Sequence, residues 1–208
     1  MRKTLITLAV ALAATTAAPT ASAAPASLGN TSLASVLTSD GNRFDHNWGD
    51  YDIVTEAALA VLAAKPDSPV KVLTQGDTAL TAFIPNDRAF RRLWHDVSGR
   101  WLFSEKRIFT KLAGKFGIDT IEQVLLYHVV PGATITAADA LQADGVALTT
   151  AQGGSFTVNV VSTDPPVVKL VDLDPNDRNP RVVRFDINAG NVQIAHGLNR
   201  VLRPLDID

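Results

Sequence analysis

Hydrophobic positions recur at helical spacing through the first half of this chain and alternate through the second. Asp52 stands ahead of Val54, Ala58, Val61 and Leu62, which share one helical face, and Lys65-Pro66 stops the run; the pattern predicts a helix capped by Asp52. Leu80, Ala82 and Ile84 alternate with Thr81 and Phe83 up to Pro85, the period of a strand. Asn86 and Asp87 offer caps for a short helix with Phe90, Leu93 and Trp94 on one stripe. Ser104 opens a helix using Ile108, Leu112 and Phe116 that closes at Gly117. Asp119 with Glu122 resembles a capping box ahead of Ile121, Val124, Leu125 and His128, and a weaker helix is expected over 136–143.

After Gly145 the rhythm changes. Short strands are expected over 146–149, 156–161, 167–173, 181–187, 192–196 and 201–205, with turns at Gly153-Gly154, Asp164-Pro165-Pro166, 174–180 and Gly190-Asn191. Helices first and strands second predict an α+β fold rather than alternating β-α-β units.

Arg2 and Lys3, the apolar stretch 5–14 and the small-x-small triplet Ala21-Ser22-Ala23 have the form of a secretory signal peptide over 1–23. A short lead-in over 24–30 and one domain over 31–208 are then expected, with no later transmembrane run and an exported, extracellular or periplasmic product. Lys+Arg 19 against Asp+Glu 21 gives no basic field for nucleic acid, and removing the leader takes away two cations and no acid. With no cysteine, disulfides, thiol nucleophiles and Cys-based zinc sites are excluded.

No nucleophile elbow, phosphate loop, zinc-protease motif or dinucleotide fingerprint is present, so no cofactor and no enzymatic activity are expected. Asp172, Asp174 and Asn176 have the alternate spacing of a calcium loop, but Asp177 stands where the loop needs Gly and Val183 where it needs Glu; a polar turn explains them better. Arg91-Arg92, Trp94, Arg100-Trp101 and Lys106-Arg107 interleave cations with aromatics, the chemistry of a stacking surface or of arginines lying along buried rings. His128, at an expected helix end, and His196, at an expected strand end, read as structural histidines.

Three blocks carry a resemblance. Leu80-Thr-Ala-Phe-Ile-Pro-Asn-Asp-Arg-Ala-Phe90, Leu125-Leu-Tyr127-His128-Val-Val-Pro-Gly132 and Ile194-Ala-His196-Gly197-Leu-Asn-Arg-Val201-Leu202-Arg-Pro204 together resemble a fasciclin-like (fasciclin I type) domain. The resemblance implies a wedge in which a β-sandwich packs with several helices, and an exported adhesion role toward a cell-surface protein or polysaccharide. It also implies partner-binding roles for Tyr127-His128 and Asp186-Ile187. Asn199 stands where that family commonly has Asp, Gly190-Asn191 only loosely echoes its usual turn, and the stretch from Trp94 to Phe116 is longer than usual; Arg100 and Trp101 in that added segment are a further candidate surface. The alternative is a secreted hydrolase or small-ligand-binding protein whose site forms around His128 or His196, which needs a carboxylate or serine within hydrogen-bond reach.

Overall fold

A computed structural model describes residues 27–39, 41 and 44–205; the expected signal peptide over 1–23 lies outside the described residues. The fold is mixed α+β, with helices gathered in the first half and strands in the second. Helix α1 (Leu33–Leu37) is followed by α2 (Asp52–Ala64), a 3-10 turn (Pro69–Thr74), strand β1 (Leu80–Pro85), α3 (Asp87–Ser98) and α4 (Glu105–Tyr127). Then come β2 (Val129–Pro131), the single turn α5 (Ala137–Ala140), β3 (Ala147–Thr149), β4 (Ser155–Thr163), β5 (Pro166–Val171), β6 (Val182–Ile187) and β7 (Gln193–Leu198).

Local chemistry accounts for most of the boundaries. Asn86 accepts from the Ala89 amide at 3.0 Å and starts α3, and Ser104 accepts from the Arg107 amide at 3.4 Å to start α4. Helix α4 bends at Gly117, whose φ of 75° lies outside helical space, so the two expected helices meet end to end. Asp52 departs from its expected role. It is the first residue of α2 rather than its cap, and its carboxylate accepts from the Phe44 and Asp45 amides. The α2 terminus is served instead by Asp87 of α3, which accepts from the Ile53 amide at 2.9 Å. Asp119 and Glu122 likewise turn away from a capping box to meet Lys65.

The four-stranded sheet has the order β2-β1-β7-β6, with β1 and β7 parallel from Leu80↔Gln193 to Pro85↔Leu198. A three-stranded antiparallel sheet, β3-β4-β5, lies beside it, and a Lys169↔Arg181 bridge connects β5 toward the start of β6. Leu80, Ala82, Ile84 and Ala195 face a core shared with Leu33, Ile53, Val61 and Ile108 from the helices. Phe83, Val130 and Leu198 face a second core with Tyr127, Phe156 and Leu170. The four-stranded sheet is therefore a middle layer, and β1 is buried along its whole length rather than on one face. Thr81, buried in that strand, is satisfied: its hydroxyl donates to the Ala133 carbonyl and accepts from the Ile135 amide, both at 2.8 Å.

Residues 201–205 correct an expectation. They form no strand, although Val201, Leu202 and Arg203 are buried. Their amides go to side chains, Leu202 N–H to His128 Nε2 at 2.9 Å and Arg203 N–H to Asp172 Oδ2 at 2.8 Å, so an apolar extended segment is held without a neighbouring strand. The lead-in is also tied down, since Gly29 pairs with Asn191.

Gln193 links the helical side to the sheet. Its Oε1 accepts from the Leu33 amide and its Nε2 donates to the Val72 and Gln75 carbonyls, all at 2.8 Å, in a side chain with no exposure. Gln193→Leu keeps most of the volume but orphans these groups, each worth roughly 1–3 kcal/mol when stranded. We expect a loss of about 3 kcal/mol or more, read as a lower urea midpoint; an unchanged midpoint contradicts this account.

Candidate functional site

The Tyr-His pair is interior. Tyr127 and His128 are buried, and the Tyr127 hydroxyl donates to the Ser155 carbonyl at 2.7 Å, joining the end of α4 to β4. Burial pushes the phenol up to about 12. His128 Nδ1 lies 2.7 Å from the Val124 carbonyl while Nε2 accepts from the Leu202 amide, which fixes a neutral imidazole protonated on Nδ1. Desolvation pushes its pKa down to about 4. His128 also borders an apolar cavity of about 90 Å³ lined by Phe90, Phe109, Phe116 and Val201.

His196 is arranged in the same way. Nε2 faces the Ile135 carbonyl at 2.9 Å and Nδ1 accepts from the Asp186 amide at 3.3 Å; burial lowers its pKa. Both ring nitrogens of each histidine are thus held by backbone, and neither faces a carboxylate or serine in the geometry that proton transfer requires. Asp186, at φ 55°, accepts from the Ala137 amide at 2.8 Å and anchors α5, while Ile187 is buried in the helical core.

The Asp172–Asp177 loop is a nest of ion pairs. Arg203 contacts Asp174 at 3.0 Å, Asp177 at 3.1 Å and Asp96 at 2.7 Å, and Arg200 contacts Asp177 at 2.8 Å. Two guanidinium groups balance the carboxylates where the spacing resembled a calcium loop. Asn199 is also engaged, since its Oδ1 accepts from the Arg181 amide at 2.8 Å and its carbonyl accepts from Arg92 at 2.7 Å.

Arg100 and Trp101 lie at the surface, in the link between α3 and α4. Trp101 is 47% and Phe103 66% exposed. The Trp101 ring stacks on His95 with centroids 4.0 Å apart and planes 20° from parallel. The Arg91 guanidinium sits 4.4 Å from the Phe103 centroid, 5.0 Å from Trp48 and 5.2 Å from Trp101, within cation–π range of all three rings. Trp94, by contrast, packs against the helical core. Sequence reasoning did not find Trp48 or Phe103 for this surface: Trp48 lies in a different segment, and Phe103 carries no charge to mark it.

A second group of acids surrounds the starts of three helices. Asp52, Asp87 and Glu105 are the first residues of α2, α3 and α4. In two sets, Asp45, Asp52 and Glu105, and Asp50, Asp52 and Asp87, carboxylate oxygens lie within 4.8 Å of one another. Burial pushes Asp87 up to about 9 and Asp50 up to about 6, and raises Glu105. The sequence signal lay in the density of Asp45, Asn47, Asp50 and Asp52 over eight residues, but Asp87 and Glu105 reach it only through the fold.

A family model for the fasciclin domain matches residues 55–204. Among solved structures, a FAS1 domain pair from the insect cell adhesion molecule fasciclin I is similar, with a TM-score of 0.50 and 17% identity. The match covers 72% of this chain and 46% of that one, so this chain spans about half the length of the pair. No curated protein matches.

The neutral His128 makes stability depend on pH. Its folded pKa of about 4 lies below the ordinary 6.5, so the unfolded chain takes up a proton first as pH falls. The stabilisation is present in full above pH 6.5 and is lost progressively down to about pH 4, amounting to roughly 3 kcal/mol. Several carboxylates titrate in the same range, so the effect is read as a difference. The stability gap between the native protein and His128→Asn, from urea unfolding, should narrow by about that much from about pH 7 to about pH 4; a constant gap would falsify it.

Proposed function

Because the chain belongs to the fasciclin domain family, we propose that it is an exported adhesion-type module that binds a cell-surface protein or polysaccharide through its outer surface and carries out no catalysis. One observation carries this reading: Trp101 and Phe103 stand exposed together, in a patch organised by Arg91 and His95. Large exposed aromatics beside cations are the residue types that dominate binding energy at interfaces. Arg100, Lys106 and Arg107, all exposed, flank the patch and suit a partner with anionic groups.

Within this proposal Arg100 and Trp101 touch the partner. Tyr127, His128, Asp186 and Ile187 serve binding by holding the wedge in shape, as their buried or backbone-bonded positions favour. The leader over 1–23 delivers a single domain over 31–208 to the outside of the cell. No helix among the described residues is long and apolar enough to cross a membrane. Contacts of this size are weak singly and gain strength when several copies are displayed together.

The test uses the full chain against surface extracts of its own cells and against a panel of immobilised anionic and neutral polysaccharides. Replacing Arg100, Trp101 and Phe103 with Ala should weaken binding by about tenfold or more and leave the melting temperature within a few degrees. Tyr127→Phe should reduce binding only in proportion to any unfolded fraction. Equal binding by the triple variant refutes the assignment of this surface.

A further inference from the structure

We propose that the cleft between α3, the loop from β5 to β6 and the residues that follow β7 binds an anionic oligosaccharide, one whose sugars carry carboxylate or sulfate groups. The cleft shares no residue with the surface around Trp101 and does not depend on the function proposed for that surface.

Its volume is about 510 Å³, within the range of roughly 300–1,000 Å³ usual for small-molecule sites. Arg92 of α3, Lys169 of β5, Arg178 and Arg181 of the loop that leads to β6, and Arg200 beyond β7 line it, with Asp177 as the one acid among the described lining residues. Five cations against one acid run counter to the chain as a whole, whose net charge is −2. That acid is already committed, since Asp177 contacts Arg200 at 2.8 Å and Arg203 at 3.1 Å. Among the described residues Arg92, Lys169, Arg178 and Arg181 form no ion pair. Lys169 and Arg181 stand opposite each other in the bridge from β5 toward β6, an arrangement that costs stability when nothing lies between the charges. Burial, with Arg200, Arg88 and Arg91 nearby, lowers the pKa of Arg92. An anion in the cleft relieves this repulsion.

Several of these groups are held in place beforehand. Arg92 Nη1 donates to the Asn199 carbonyl at 2.7 Å, and Asn199 Oδ1 fixes the Arg181 amide at 2.8 Å. Arg200 is braced by Asp177 at 2.8 Å and Asp96 at 3.3 Å. A guanidinium positioned in this way still presents donors for the paired oxygens of a carboxylate or sulfate.

The rest of the lining selects the kind of anion. Among the described residues no aromatic or apolar side chain lines the cleft, so a nucleic-acid base finds nothing to stack on and an acyl chain nothing to bury against. Asn179 and Asn199 line it instead, and a side-chain amide both donates to and accepts from hydroxyls. Cations for the acidic groups and amides for the hydroxyls together match a charged sugar.

The test is calorimetric titration of the full chain at low ionic strength with a polygalacturonate tetrasaccharide, a heparin tetrasaccharide, neutral maltotetraose, tetraglutamate and inorganic sulfate. One or both charged tetrasaccharides should bind saturably near one equivalent, more weakly as salt is raised, and the tighter of the two identifies the acidic group. Arg178→Ala combined with Arg181→Ala should weaken binding by about tenfold or more; both residues are exposed, so the fold does not need their side chains. Asn199→Asp, which keeps the acceptor for the Arg181 amide and adds a negative charge to the cleft, should do the same. Lys111→Ala combined with Lys115→Ala removes two exposed cations from α4 and should change nothing. Failure of both charged tetrasaccharides to bind overturns the site, as does undiminished binding by the Arg178 and Arg181 variant or an equal loss in the Lys111 and Lys115 variant. Equal affinity for tetraglutamate, sulfate or maltotetraose overturns the assignment to an anionic sugar.

Discussion

A buried backbone amide or carbonyl must find a partner, and in this protein side chains from distant parts of the chain supply many of them. His128 takes the Leu202 amide, Asp172 the Arg203 amide, Gln193 the Leu33 amide and two carbonyls of the 3-10 turn region, and Asp186 the first amide of α5. Each bond joins segments far apart along the chain, at least 31 residues in every case. Apolar burial provides most of the driving force, but it is not directional. These polar clamps specify how the helices, the middle sheet and the outer sheet sit on one another.

The same requirement explains what the sequence disclosed and what it hid. The faces of α2 and α3, the break at Gly117 and the strands from β3 to β7 are local matters of periodicity and turn chemistry, and they could be read directly. Residues 201–205 could not. An alternating apolar segment looks like a strand whether its amides meet another strand or, as here, a histidine and an aspartate. Asp52 and Asp87 show the converse: both were legible as helix-start acids, yet which helix each one serves is decided by how α2 and α3 pack.

For the candidate site the blocks marking the fold were more visible than the surface. Tyr127, His128 and His196 stand out because their environment demands particular hydrogen-bonding shapes, and that demand comes from the interior. Trp101 was visible as an aromatic among cations, but its association with Trp48, Phe103 and His95 needs the link between α3 and α4 folded against the loop before α2. The carboxylate group is assembled in the same neighbourhood, with Trp48 placed between Asp45 and Asp50 in sequence. The helical end of the wedge thus carries both the exposed rings and the clustered acids.

Strand β7, made late in the chain, lies between β1 and β6 in the middle sheet, and the residues just after it lock His128. A ribosome builds the polypeptide from the other end. Until β7 emerges, β1 lacks its parallel partner, and the two cores lack Ala195 and Val201 on one side and Leu198 and Leu202 on the other. The middle sheet can therefore be completed only after residues 193–198 have been made, however early β1 and β2 are available.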